Sequence, residues 1–154
     1  MDIVNLDDVA PFITKDGSEI RELLAPRNSH IQWQSLAEAR IPVGQATTAH
    51  HHRRTEEIYY VVEGSGLMEI DDQARAVRPG DAIAIPPGTT HRLTNTGDIV
   101  LRILCCCAPA YEHDDTFLDE EPTESAQRFA DRSESDLSGG AFVRPDDYRT
   151  DVGA

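Results

Sequence analysis

The chain has 154 residues, 39% hydrophobic and 6% aromatic, enough for one domain with a modest core. Its formal net charge is −14, from 14 basic and 28 acidic residues, and so acidic a surface repels phosphate backbones, which argues against a nucleic-acid partner. No stretch approaches the roughly 20 apolar residues of a membrane helix, and the acidic opening MDIVNLDDVAPF has no secretory-signal pattern, so a cytoplasmic protein with no membrane partner is expected.

In chain order, IVNLDDV (residues 3–9) reads as a strand. SEIRELLA reads as one short helical turn with Ser18 as its N-cap. Both belong to an N-terminal extension, residues 1–29, expected to pack on the main domain. From 30 to 110 there is no helix-length apolar periodicity, only short alternating segments with turn signals between them. Residues 31–41 place Ile31, Trp33, Ser35, Ala37, Ala39 and Ile41 on one face, with Gln32, Gln34, Glu38 and Arg40 on the other. In the run HHH, His50 and His52 share a strand face and His51 points away. EIYYVV (57–62) is rich in β-formers, and Glu57 is in phase with Tyr59 and Val61. Turns at Gly64-Ser65-Gly66, Asp71-Asp72, Pro79-Gly80-Asp81, Pro86-Pro87-Gly88 and Thr96-Gly97-Asp98 separate the segments LMEID, ARAV, AIAI, HRLTN and IVLRILCCC. Many short strands at close, regular spacing predict an all-β sandwich or barrel.

In the last of these strands Arg102 should face solvent, which turns Leu101, Ile103, Cys105 and Cys107 inward. Cys105, Cys106 and Cys107 are the protein's three cysteines. Adjacent cysteines make neither a disulfide framework nor the paired spacing of a zinc ribbon. Small buried hydrophobes are the simpler expectation. Residues 112–154 carry 4 basic against 13 acidic residues, net −9, whereas residues 1–111 carry 10 against 15, net −5. That segment is expected as an acidic tail, partly disordered or weakly helical over 123–137 with Ala126, Phe129 and Ala130 on one face.

The chemistry gathers around the histidines. His50, His52 and Glu57 lie close in sequence, and His91 follows a Pro-Gly turn at the start of another strand. Strands from two facing sheets could bring all four to one point. Imidazoles with one carboxylate suit a single divalent transition ion such as Fe, Mn, Ni or Zn. One glutamate leaves such a centre at about +1, which favours an anionic oxygen ligand. Four protein ligands leave one or two open positions in a five- or six-coordinate site, the mark of a catalytic rather than a closed structural one.

Two segments carry a family resemblance. The first reads Gly44-x5-His50-x-His52-x4-Glu57-x6-Gly64, and the second Gly80-x5-Pro86-x-Gly88-x2-His91-x3-Asn95. They resemble the two signature motifs of the cupin superfamily, with every position filled and the short intermotif gap of small single-domain cupins. The resemblance implies an antiparallel jelly-roll barrel (a double-stranded β-helix) over residues 30–111, commonly a homodimer. It implies that His50, His52, Glu57 and His91 are metal ligands, with Glu57 also placed in catalysis. Gly64, Pro86 and Gly88 become turn residues and Asn95 structural. Glu56 is the competing carboxylate, but Glu57 has the family's spacing to Gly64.

Tyr59, Trp33, Cys105 and Cys107 are candidate substrate contacts. The cysteines serve either as redox or nucleophilic groups or as barrel filling, and Trp33 either as a pocket wall or in packing. His113 could fold over the barrel mouth, and Arg53 and Arg54 could guide an anion at its rim. The leading functional expectation is an oxygenase or dioxygenase acting on a small oxygenated molecule, as in the quercetin- and diketone-cleaving cupins. The alternatives are a Zn-dependent non-redox cupin (a polyketide cyclase, isomerase or decarboxylase), a non-catalytic metal-dependent small-molecule binder, and an interaction module working through the acidic tail.

Overall fold

A computed structural model describes residues 1–119. The expected helix over 123–137 lies outside the described residues. Two antiparallel sheets face each other. One holds six strands in the order β1-β2-β3-β10-β5-β8, the other five in the order β11-β4-β9-β6-β7. The strands are β1 Phe12–Ile13, β2 Glu19–Leu24, β3 Ser35–Ile41, β4 His50–His52, β5 Glu56–Glu63, β6 Gly66–Ile70, β7 Gln73–Val77, β8 Ala82–Ile85, β9 His91–Asn95, β10 Leu101–Ala108 and β11 Thr116–Leu118. This is the double-stranded β-helix architecture the motifs imply. Among the described residues no helix is long and apolar enough to cross a membrane.

Period-two alternation sets the interior. In β10, Leu101, Ile103, Cys105 and Cys107 are buried while Arg102, Leu104 and Cys106 are only partly so. In β5 the buried set is Glu57, Tyr59 and Val61. Register aligns the two rows, with Cys107 opposite Glu57, Cys105 opposite Tyr59 and Ile103 opposite Val61. Along β5, β10 and the first half of β9 the inward row therefore grades from polar to apolar. Glu57 leads to Val61, His91 leads to Leu93, and Cys107 leads to Leu101. The apolar ends join Ile41, Met68, Val77 and Ile85 in one core. The polar ends meet beside it.

Two glycines and one asparagine fix the corners. Gly64 has φ +81, and a Cβ there would lie 2.8 Å from the Cα of Leu101 and 2.9 Å from the carbonyl of Val100. Only glycine fits between β5 and the start of β10. Gly88, at φ +77, donates its amide to the carbonyl of His52 at 2.6 Å, tying the turn before β9 to β4. Asn95 is buried and donates Nδ2 to the carbonyls of Ile41 and Ile99, both at 2.8 Å. Its Oδ1 accepts from the amide of Gly97.

The N-terminal extension differs from the sequence expectation. SEIRELLA forms β2, because a helix this short is marginal alone and β3 offers it a paired edge from Glu19–Arg40 to Leu24–Leu36. Ser18 caps no helix; its hydroxyl donates to Asp16. Within IVNLDDV, residues Leu6–Asp8 form a 3-10 turn capped by the Asn5 side chain, which accepts from the Asp7 amide at 2.9 Å. That local bond replaces a strand ladder. The alternating stretch 31–41 is a strand only from Ser35, since β10 and β2 reach no further than Ser35 and Leu36. Past the expected barrel boundary at residue 111, β11 pairs with β4 and extends the five-stranded sheet to Leu118.

Candidate metal centre

Pairing and parity assemble the site. His50 on β4 is the register partner of His91 on β9. His52 shares the inward face of β4, and Glu57 reaches across from the other sheet. All four are buried, and one ligand atom from each lies within 4.8 Å of the others.

The hydrogen bonds choose which nitrogen faces in. Nδ1 of His50 lies 2.7 Å from the carbonyl of Thr48, and Nδ1 of His91 lies 3.0 Å from that of Thr89. A carbonyl only accepts, so both Nδ1 atoms carry the proton and both Nε2 atoms present lone pairs. Nδ1 of His52 is 3.3 Å from Oγ1 of Thr116, whose own proton goes to the Glu112 carbonyl. That leaves Thr116 to accept and His52 in the same tautomer. Partners of this kind orient imidazole ligands in metalloproteins.

Glu57 is divided between two surroundings. Oε1 accepts from Sγ of Cys107 at 3.0 Å. Oε2 lies 3.3 Å from Nε2 of His52 and 3.2 Å from Nε2 of His91, yet it has no aligned donor. An orphaned, buried carboxylate oxygen facing imidazole lone pairs repels them unless a proton or a cation sits between. The donor set therefore fits a divalent ion, with no identity implied.

Burial and charge tune the groups. Burial opposes ionisation of Glu57, but a proton shared with the two adjacent imidazoles outweighs it and lowers the carboxyl's pKa. For His52, burial is outweighed by the Glu57 carboxylate and its pKa rises. For His50, burial prevails and its pKa falls. Burial also pushes Tyr59, Cys105 and Cys107 up, with the charge of Glu57 adding to it. The cysteines are thus protonated thiols rather than activated nucleophiles.

The four ligand candidates that the motif resemblance implies are brought together. Tyr59 places its hydroxyl 3.4 Å from Nε2 of His91, and Tyr59, Cys105 and Cys107 line the cavity beside the site. Trp33 does not. It is 82% exposed and lies outside the cavity, because residues 31–34 have no strand to pair with. Glu56 faces solvent. His51 points away from the site to pair with Asp119 at 2.9 Å and stack on Phe117. His113 is exposed at the start of a 3-10 turn. Arg53 lies over the Phe117 ring, and Arg54 meets Asp115.

Sequence reasoning passed over Asp16, Glu22, Tyr111 and Thr116, all of which line the cavity. Asp16-Gly17 is a turn signal by itself. Its place over the site depends on the β1–β2 hairpin folding back, where the Thr48 amide donates to the Asp16 carbonyl at 2.7 Å.

Comparison with known proteins agrees with the fold. The family model described as a cupin domain matches residues 37–107. An uncharacterized protein of Methanocaldococcus jannaschii is 53% identical over 110 residues, spanning 71% of this chain and 88% of that one. Protein SchB of Streptomyces halstedii is 31% identical over 123 residues, spanning 79% and 88%. The crystal structure of the polyketide cyclase RemF from Streptomyces resistomycificus superposes with a TM-score of 0.67 at 28% identity, covering 82% of this chain and 93% of that one.

Proposed function

The chain belongs to the cupin family, and from that premise we propose that it is a metal-dependent enzyme acting on a small oxygenated organic substrate. The observation that carries the reading is the orphaned Oε2 of Glu57, which faces three imidazoles set to offer lone pairs beside a cavity. His50, His52, Glu57 and His91 would hold the ion. A divalent transition ion there supplies Lewis acidity towards substrate oxygens, and a redox-active one also supplies oxygen chemistry. The chain's own residues bind and orient. The cavity is walled in part by apolar side chains such as Phe12, Ile20 and Ile103. They exclude water from the reacting end. Tyr59 stays protonated beside His91 and can give a proton to a substrate oxygen.

Of the expected chemistries, non-redox cyclisation or isomerisation is the one we favour, because the likeness to RemF supports it. The oxygenase reading is the rival. A homodimer is the proposed assembly, supported by the exposed Ile58, Tyr60 and Val62 on the outer face of β5.

The test is elemental analysis of untagged protein together with oxygen uptake on candidate diketones and flavonols. Stoichiometric Zn without uptake supports the favoured reading, and Fe, Mn or Ni with substrate-dependent uptake supports the rival. His50→Ala and His91→Ala should each lower bound metal by about tenfold or more, and His51→Ala should not. Equal loss in all three variants, or no metal after reconstitution, removes the four-residue site.

A further inference from the structure

The cavity's charge inventory says more than its ligand set. Besides Glu57, two carboxylates line it, Asp16 and Glu22, which are 6% and 9% exposed. Among the described residues the lining holds no lysine or arginine. Glu22 is matched by Arg27, which reaches it with Nε at 2.6 Å and with Nη2 as well, from outside the lining. Asp16 has no such partner. Its Oδ1 accepts from the Thr14 hydroxyl at 2.5 Å and its Oδ2 from the Ser18 hydroxyl at 2.6 Å. Lys15, next to it in sequence, points its Nζ at the carbonyl of Thr116 instead, at 2.8 Å.

A carboxylate offers about four lone-pair positions. Two hydroxyl donors and the Ser18 amide, which reaches Oδ1 at 3.5 Å, still leave Asp16 a position to accept again, and the carboxylate is held by the hairpin tip, closed by the Thr14 amide to the Ser18 carbonyl at 3.0 Å. A substrate hydroxyl can take that place. A second carboxylate or a phosphate fits poorly, because it would set acceptor oxygens against the Asp16 acceptors with no lysine or arginine in the lining to stand between them. The ion that His50, His52, Glu57 and His91 would hold is what would draw the substrate's chelating oxygens.

We infer that Asp16 is a specificity-determining residue, and that the cavity takes hydroxylated, largely apolar molecules bearing one chelating oxygen pair while excluding those with a further anionic group. This rests on the metal-centre reading above. A flat phenolic body fits the apolar wall of Phe12, Ile20, Ala39 and Ile103.

The experiment uses full-length protein loaded with Zn(II), titrated anaerobically by calorimetry with two probes. 3,4-Dihydroxybenzoate and 1,2,4-trihydroxybenzene share a vicinal chelating pair and carry a carboxylate or a hydroxyl at the same ring position. Each affinity is normalised to that for the free ion. The trihydroxy compound is expected to bind about tenfold more tightly or better. In Asp16→Asn, and in Asp16→Ser as a second variant, the preference should fall below about threefold, with Zn stoichiometry unchanged. Equal or reversed preference in the wild type, an unchanged preference in both variants, or no binding of either probe overturns the inference. Failure of the wild type to load metal overturns both readings and shows at the loading step, before any probe is added.

Discussion

Glu57 needs its two oxygens to behave differently, and Cys107 is what separates them. The thiol donates to Oε1 from the register position directly across β10, which leaves Oε2 toward the histidines. With the thiol pushed up by burial, the proton stays on sulfur and the contact is a donor bond rather than a clash of charges. Cys107→Ala should therefore weaken metal affinity by roughly tenfold, in the range typical of groups that orient ligands. Cys107→Ser, which keeps a donor on a shorter bond, should recover most of it. Competition with a chelator and the visible spectrum of the Co(II) form would measure both. Equal affinity in wild type and Cys107→Ala would mean the thiol only fills space. At this scale the sequence was informative where motif and parity agreed: the cupin-like motifs picked out His50, His52, Glu57 and His91, and His51 turned away as alternation required. Trp33 was misplaced, because alternation continues through residues 31–34 although no neighbouring strand reaches them.

The elements that frame the site are short, and they depend on side chains at their corners. Between β4 and β5 the chain turns through Arg53–Thr55, and the turn is held by a residue far along the sequence. The buried Asp115 carboxylate accepts from the amides of Arg54 at 3.1 Å and Thr55 at 3.0 Å, and from Nε of Arg54 at 3.2 Å. Burial opposes its ionisation, but these donors prevail and its pKa is lowered. The sign follows. A carboxyl with a depressed folded-state value stabilises the fold fully above its unfolded value of about 3.9, and that contribution is lost as pH falls through the lower folded value. Asp115→Asn should cost about 1–3 kcal/mol at pH 7, the price of leaving buried donors poorly matched. The difference from wild type should shrink in thermal melts taken below about pH 4. A constant difference from pH 7 to pH 3 would show that the charge is not what matters. This corner, β11 beside it and β2 were hard to read in the sequence for one reason: each is defined by a partner distant in the chain. Thr116 becomes useful only when β11 lies against β4. By contrast β5 and β10 carry their own alternation and were legible from it.

For the whole molecule, the outer face of the six-stranded sheet is the feature that an isolated chain does not explain. Ile58, Tyr60 and Val62 are 50%, 43% and 38% exposed along one side of β5. Register extends the patch sideways, since Ile58 pairs with Cys106 and Ala84, and Tyr60 with Leu104 and Ala82. On β10 and β3 the patch is bounded by ion pairs, with Arg102 reaching Glu38 at 2.6 Å and Glu63 at 3.0 Å. An apolar centre inside a charged rim is the layout of a protein interface, and a face of one sheet can pack on its own copy about a two-fold axis. Each copy carries a net charge of −14, so association works against like-charge repulsion that salt screens. The expected outcome is a particle of twice the 17.0 kDa chain mass by light scattering at micromolar concentration. The dimer should tighten, not loosen, as salt is raised. Tyr60→Glu should convert it to monomer while sparing metal stoichiometry, because Tyr60 points away from the barrel interior that holds the four candidate ligands. A wild-type monomer at every salt concentration, or a dimer unaffected by Tyr60→Glu, would assign the patch no role in assembly. A Tyr60→Glu monomer that also lost metal would instead tie the barrel's integrity to the second copy.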